Sequence, residues 1–289
     1  VDNLFSVLLD YVLRKISNRA FPLVSCTNRG EWVLVMSYIE FNHLWKEYGP
    51  VVVLEDLNIK VEQGEFVTIV GASGCGKTSF LKLLLGTEQP SRGKILLNDK
   101  VLVDEPSSER GIVFQKYSVF PHLTVLENVV ISQEFEKSKL IGKLWGASKH
   151  KALDFAKEMI ERVGLSNALD KYPHELSGGM QQRLAIAQAL IKKPKILLLD
   201  EPFGALDPGI RADMHELVLD LWKTYNLTVF MITHDLNEGF YLGTRLWVFD
   251  KDRIDPHAPE AYGAKITYDL PVGACEDAML SDIKNNSKL

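Results

Sequence analysis

The fold is decided by Phe66-Val-Thr-Ile-Val-Gly71-Ala-Ser-Gly-Cys-Gly-Lys77-Thr78-Ser79-Phe-Leu-Lys-Leu-Leu-Leu85. Phe66–Val70 is an apolar, β-branched run, the composition of a strand buried on both faces. Ser79–Leu85 reads as a helix closed by Gly86. Between them Gly71, Gly76, Lys77 and Thr78 fill every fixed position of G-x-x-x-x-G-K-[ST]. Glycine lets the backbone wrap closely around phosphate oxygens. The candidate phosphate cradle is therefore Gly71, Ala72, Ser73, Gly74, Cys75, Gly76, Lys77, Thr78 and Ser79, with several N–H groups pointing inward at a helix N-terminus. Lys77 supplies a point charge for β- and γ-phosphates, and the Thr78 hydroxyl can ligate Mg2+. A dinucleotide turn, G-x-G-x-x-G, fails because position 73 is Ser. Cys75 is read as present for its backbone amide, not its thiol.

Farther along, Ile196-Leu-Leu-Leu-Asp200-Glu201 is an apolar strand ending in two carboxylates, with Pro202 terminating it. A strand tip beside a phosphate loop is where phosphoryl-transfer sites place their acids. Asp200 can hold Mg2+, and Glu201 can polarise an attacking water as general base.

The surrounding pattern agrees. Val51–Val61 alternates, and Gly93–Leu102 is strand-like. Helical spacing covers Ser148–Val163, Ser177–Lys192 and Arg211–Tyr225, and Thr228–Ile232 is another buried-strand run. Strands alternating with helices predict a mostly parallel sheet with helices on its faces, and the early alternating strands predict an added antiparallel piece.

Composition sets the limits. The chain has 289 residues, 46% of them hydrophobic and 25% charged, enough for a core without disulfides or metal staples. Thirty-three Lys and Arg against 38 Asp and Glu give a net charge of -5, which argues against nucleic acid as a partner bound through bulk charge. No run approaches the ~18–20 apolar residues of a membrane span. The three cysteines, Cys26, Cys75 and Cys275, are far apart and form no CxxC pair, which fits reduced thiols. Residues 1–35 have an apolar patch broken by Asp10, Arg14, Lys15 and Arg19, the wrong order for a secretory signal. They read as an extension or an upstream-start artefact, with the folded unit expected from Met36 to Asp250 and residues 251–289 as an acidic tail carrying one strand at Lys265–Leu270.

Leu176-Ser177-Gly178-Gly179-Met180-Gln181-Gln182-Arg183 resembles the signature motif of ABC-type ATPases. The family's other motifs follow in order. Gln115 resembles the glutamine of the Q-loop, Ala205-Leu206-Asp207 the D-loop and His234 the switch histidine. Tyr48 stands where the family places the aromatic that stacks on adenine, with Trp45 as its competitor. The resemblance spans Tyr38 to Asp250.

It implies an ATPase using ATP and Mg2+, with a helical subdomain at about 116–175. Glu201, His234 and Gln115 would be catalytic, and Thr78, Gln115 and Asp200 would hold the metal. Ser177, Gly178, Gly179 and Asp207 would contact ATP across a head-to-tail dimer with a second ATPase subunit. Ser177 can also cap the following helix, making its exposed amides a second anion site. Met180 departs from the usual fifth signature residue but leaves Ser177, Gly178 and Gly179 in place. The remaining histidines, His43, His122, His150, His174, His215 and His257, are read as structural.

One ATPase unit, no heptad insertion and no fused membrane helices resemble a separately encoded transporter subunit. GEFVTIVGASGCGKT with LSGGMQQR is similar to the ATPases of nitrate/sulfonate/taurine importers. That implies integral membrane permease subunits as partners, a periplasmic or extracellular solute-binding protein indirectly, and a peripheral place on the cytoplasmic face of the inner membrane. Tyr117, Phe120 and Pro121 are candidate permease contacts, or else pack within the helical lobe. The alternative class is an ATP-responsive regulatory module, against which intact Glu201 and His234 argue.

Overall fold

The computed structural model describes residues 25–26, 32–33, 37–102, 105–115, 119–137, 146–251, 253, 257 and 261–272. The chain divides into two units, Val1–Met36 and Ser37–Leu289. In the first, β1 (Ser25–Cys26) pairs antiparallel with β2 (Trp32–Val33). The rest of the predicted extension, the tail beyond Val272 and Tyr117 lie outside the described residues.

In the second unit β5 (Phe66–Gly71) is the strand read from the phosphate-loop stretch. It is flanked on both sides by parallel neighbours, β10 (Thr228–Ile232) and β11 (Arg245–Asp250). β9 (Ile196–Asp200) and β8 (Arg110–Val113) continue the parallel run. β12 (Lys265–Pro271) closes the other edge antiparallel to β11, giving the order β12-β11-β5-β10-β9-β8. The tail expected past Asp250 therefore contributes a sheet strand. A second, antiparallel sheet of order β4-β3-β6-β7 is built from β3 (Ile39–Tyr48), β4 (Val51–Val61), β6 (Arg92–Leu97) and β7 (Lys100–Val101). The mostly parallel core, the antiparallel sheet and the helical part match the expected class.

Period-two alternation sorts the parallel strands onto two cores. Leu197, Leu199, Val229 and Met231 join one core with residues of α2 (Val125–Lys137), α3 (Gly146–Arg162), α4 (Gly178–Leu190) and α5 (Pro208–Tyr225). Ile196, Leu198, Phe230 and Ile232 join the other, with α1 (Lys77–Leu85) and the antiparallel sheet. There Phe80 of α1 sits 5.1 Å from Phe41, 6.0 Å from Trp247 and 5.4 Å from Phe249, ring centre to centre. This cluster fixes the phosphate-loop helix against both sheets. Trp247→Ala is expected to cost about 3–5 kcal/mol, since it empties a fully buried site between three phenylalanine rings. Urea melts would show it as a lower midpoint at unchanged slope.

The run Gly93–Leu102 is not one strand. Asn98 and Asp99 both take positive φ, 50° and 61°, the twist of a two-residue hairpin turn between β6 and β7.

Candidate nucleotide-binding and hydrolytic site

β5 delivers the chain to the phosphate loop, and α1 carries it away. Gly71 could not be another residue: a Cβ there would lie 2.2 Å from the Phe249 carbonyl oxygen of β11. At Gly76, with φ at 91°, a Cβ would meet Val53 and Leu54 at 2.7 and 2.9 Å. The loop thus threads between β11 and β4 with only backbone at its tightest points. Ala72, Ser73, Gly74 and Thr78 are exposed at its outer rim, and Cys75 and Lys77 are buried within. Lys77 Nζ donates to the Gly71 carbonyl at 2.9 Å and the Ala72 carbonyl at 2.8 Å, with Cys75 Sγ at 3.8 Å. Burial pushes the Cys75 thiol above its ordinary pKa, so it stays protonated.

Thr78 Oγ1 donates to Asp200 Oδ2 at 3.1 Å, which brings the loop to the tip of β9. Burial raises the Asp200 carboxyl above the usual carboxylate range, the Thr78 hydrogen bond opposes this, and the adjacent Glu201 charge adds to it. Mg2+ is bound through one or two carboxylates together with waters and substrate phosphates. A hydroxyl and a carboxylate paired at the mouth of a phosphate loop suit that demand. A carboxyl held neutral longer by the fold stabilises the protein at low pH and loses that advantage as pH rises through its raised value. Asp200→Asn is therefore expected to raise the melting temperature of the nucleotide-free protein at pH 8 relative to pH 4, and to weaken Mg2+-dependent ATP hydrolysis. Calorimetric melts at the two pH values check the first effect.

Glu201 follows at φ 45°, a left-handed conformation that a non-glycine residue adopts at a cost of about 1–3 kcal/mol. Its N–H donates to the Ile232 carbonyl at 3.0 Å, so the kink is anchored to β10. The turn sends its carboxylate toward two other predicted site residues. Gln115 Nε2, just beyond β8, donates to Glu201 Oε2 at 3.0 Å. His234 Nδ1, just beyond β10, lies 3.6 Å from the same oxygen. Gln115, predicted as both catalytic and metal-binding, is thus placed with Glu201, while Thr78 and Asp200 pair with each other.

Tyr48 ends β3 44% exposed, and its hydroxyl donates to Glu88 and lies 3.5 Å from Ser79 Oγ at the start of α1. Both candidate rings carry a cation: Lys46 Nζ lies 4.7 Å from the centre of the Tyr48 ring, and the Arg92 guanidinium lies 4.0 Å from that of Trp45.

Ser177, Gly178 and Gly179 form the start of α4. Ser177 Oγ accepts the Met180 N–H at 3.3 Å, and Ser177 and Gly178 are exposed. Gly179 has a role its amide did not reveal: a Cβ there would lie 2.5 Å from Ile210 Cγ2, so glycine lets α4 pack against α5. Asp207 occupies the N-cap of α5 ahead of Pro208, its side chain exposed and making no capping hydrogen bond.

The ABC transporter family profile matches residues 54–204, more than half of the chain. The chain belongs to the ABC transporter family. It is an ABC ATPase, and several known proteins that it resembles agree. The nitrate import ATP-binding protein NrtD of Synechocystis sp. is 43% identical over 77% of this chain and 78% of its own length. The aliphatic sulfonates import ATP-binding protein SsuB of Bacillus anthracis is 41% identical over 71% and 76%. The dimeric structure of MJ0796, a bacterial ABC transporter cassette, superposes with a TM-score of 0.66 at 27% identity, covering 81% of this chain and 99% of that one. No helix among the described residues is long and apolar enough to cross a membrane.

The sequence reading missed a buried pair beside His234 and its part-buried partner on α5. Thr233, Glu238 and His215 join in one hydrogen-bonded group directly behind His234. His215 and Glu238 are 23 residues apart, and no local spacing pairs them.

Proposed function

We propose that this ABC ATPase is the ATP-hydrolysing subunit of a membrane importer for a small solute such as nitrate, a sulfonate, taurine or a related compound. The observation that carries the hydrolytic part is the convergence of Gln115 and His234 on one oxygen of Glu201, beside the Thr78–Asp200 pair. Lys77 and the loop amides bind the β- and γ-phosphates. Mg2+ would supply neutralisation of the negative charge that develops on the phosphates during transfer. Thr78 and Asp200 are the residues that would hold it. Glu201 takes a proton from the attacking water while Gln115 fixes the carboxylate's direction. His234, exposed beside Glu201, meets the γ-phosphate, and Tyr48 stacks on the base.

The exposed start of α4 supports a head-to-tail dimer. Exposed Ser177 and Gly178, with Gly179 buried behind them, offer an anion site available to ATP held in the loop of a second subunit, with Asp207 alongside. ATP binding then closes the dimer, and hydrolysis opens it. A cleft of about 510 Å³, lined by Ile112, Phe114, Phe120, Gln188 and Ala189, suits a permease element. Such a subunit sits peripherally on the cytoplasmic face of the membrane, with the solute-binding protein acting through the permease. The names of the nitrate and aliphatic sulfonate relatives support a small anion as cargo.

The test is purification of the tagged chain from its native membranes, identification of the co-purifying permease, and uptake assays in proteoliposomes with that permease and its binding protein. ATP-dependent uptake of nitrate or a sulfonate, lost in Glu201→Gln, is expected. Full ATPase activity with no membrane partner and no solute response would overturn the importer reading.

A further inference from the structure

His234 is 64% exposed, so packing does little to aim its ring. Its direction has to come from its backbone. The two residues flanking it belong to one chain of hydrogen bonds. Thr233 Oγ1 donates to Glu238 Oε2 at 2.5 Å, and the same oxygen of Thr233 accepts the Asp235 N–H at 3.1 Å. The other carboxylate oxygen of Glu238, Oε1, lies 2.8 Å from Nε2 of His215 on α5. Glu238, in α6 (Leu236–Leu242), is buried.

An ionised carboxylate only accepts hydrogen bonds. With Glu238 ionised, Thr233 must aim its proton at Glu238, and His215 must carry a proton on Nε2. The lone pairs of Thr233 are then turned to the Asp235 N–H. One set of bonds beginning at His215 therefore fixes the residue on each side of His234.

The same face of α5 holds neighbouring pieces of the site. The His215 ring packs edge-on to Phe203, two residues after Glu201, at 5.1 Å. Arg211, one turn before His215, donates to the Leu206 carbonyl at 3.2 Å and lies 3.7 Å from the Asp235 carboxylate. Asp235 in turn caps α6 through the N–H groups of Asn237 and Glu238. α5 thus touches both the segment after Glu201 and the segment carrying His234.

We propose that His215 is a positioning residue for hydrolysis. Acting through Glu238 and Thr233, it holds the backbone of His234 so that the imidazole stays within reach of Glu201. The inference rests on the roles given to Glu201 and His234 under the proposed function.

The test measures ATPase rate against ATP concentration, ATP affinity by calorimetry and thermal stability. Four variants of the full chain are compared with the parent. His215→Phe keeps a ring against Phe203 and Tyr241 but removes the donor. His215→Gln restores an N–H donor. Thr233→Val removes the hydroxyl without touching α5. His234→Ala tests the underlying reading. His215→Phe and Thr233→Val are expected to lower kcat about tenfold with KM and ATP affinity within about twofold of the parent. His215→Gln is expected to recover kcat to within about threefold of the parent. Equal kcat in His215→Phe and His215→Gln would overturn the proposal, as would a parental rate in Thr233→Val. Should His215→Phe fail to fold, Thr233→Val decides alone. Loss of hydrolysis in His234→Ala with a parental rate in His215→Phe overturns this inference and spares the reading of His234. A parental rate in His234→Ala overturns both.

Discussion

Glu201→Gln stops steady-state ATP hydrolysis, with kcat falling by at least about a hundredfold, while ATP still binds. The substitution keeps the size of the side chain and leaves an oxygen to accept the hydrogen bond from Gln115. It removes only the ability to take a proton from water. Neither the phosphate loop nor the Thr78–Asp200 contact involves the Glu201 side chain, so nucleotide affinity should hold within a few-fold. An uncleaved ATP keeps the proposed dimer closed. Gel filtration with ATP and Mg2+ should then show a dimer in the variant at concentrations where the parent elutes as a monomer. Phosphate-release kinetics read the chemical step, and a rate within a factor of two of the parent would remove Glu201 from its role. A smaller loss, near tenfold, would mean that Gln115 or His234 orients the water adequately without it.

How much of this was readable in advance depended on whether a feature was local. The phosphate loop was legible because Gly71 and Gly76 sit against neighbours too close for a Cβ, and such positions recur at set spacing. The strand Ile196–Leu199 and its acidic end were legible because a strand buried on both faces writes an unbroken apolar run. Asn98-Asp99 was a missed hairpin turn: two small polar residues between strand-like runs were absorbed into one strand, although both can take positive φ at low cost. β8 was missed because Arg110–Val113 is only four residues long and its burial comes from neighbours far away in sequence. The strand at Lys265–Leu270 was seen, but its place at the sheet edge was not, because nothing local says that it pairs with β11. Within the site, Glu201 was legible as a residue type at a strand end. The left-handed turn that aims it was not, because an anchor on Ile232 is a contact between strands. His215 had only its own composition to speak for it, and a lone histidine on an apolar helix face reads as packing. Only the tertiary pairing with Glu238 gives it a second partner in the site.

Lys77→Ala should weaken ATP binding about 10- to 150-fold, the ~1.5–3 kcal/mol of a charge-assisted hydrogen bond. The lysine is buried, and its ammonium is engaged by two carbonyls of its own loop. That arrangement spares the protein an unpaired buried charge, and it keeps the ammonium where the loop amides converge. Phosphate oxygens entering the cradle exchange a neutral carbonyl for a charged acceptor, which is the stronger bond for the same donor. The gain therefore appears only when nucleotide is present. Removing the ammonium leaves the Gly71 and Ala72 carbonyls without this donor, but Ala72 is exposed and water can replace it there. The nucleotide-free protein should consequently melt within a few degrees of the parent. The difference emerges on adding ATP. At a ligand concentration of 100 Kd, binding adds about 2.7 kcal/mol to parental stability, whereas a hundredfold weaker site gains about 0.4 kcal/mol under the same conditions. Melting curves with and without ATP should thus separate parent from variant even if calorimetry cannot resolve the weaker binding. A variant whose melting temperature rises with ATP as far as the parent's would show that Lys77 does not meet the phosphates, and the loop would lose its place as the nucleotide site.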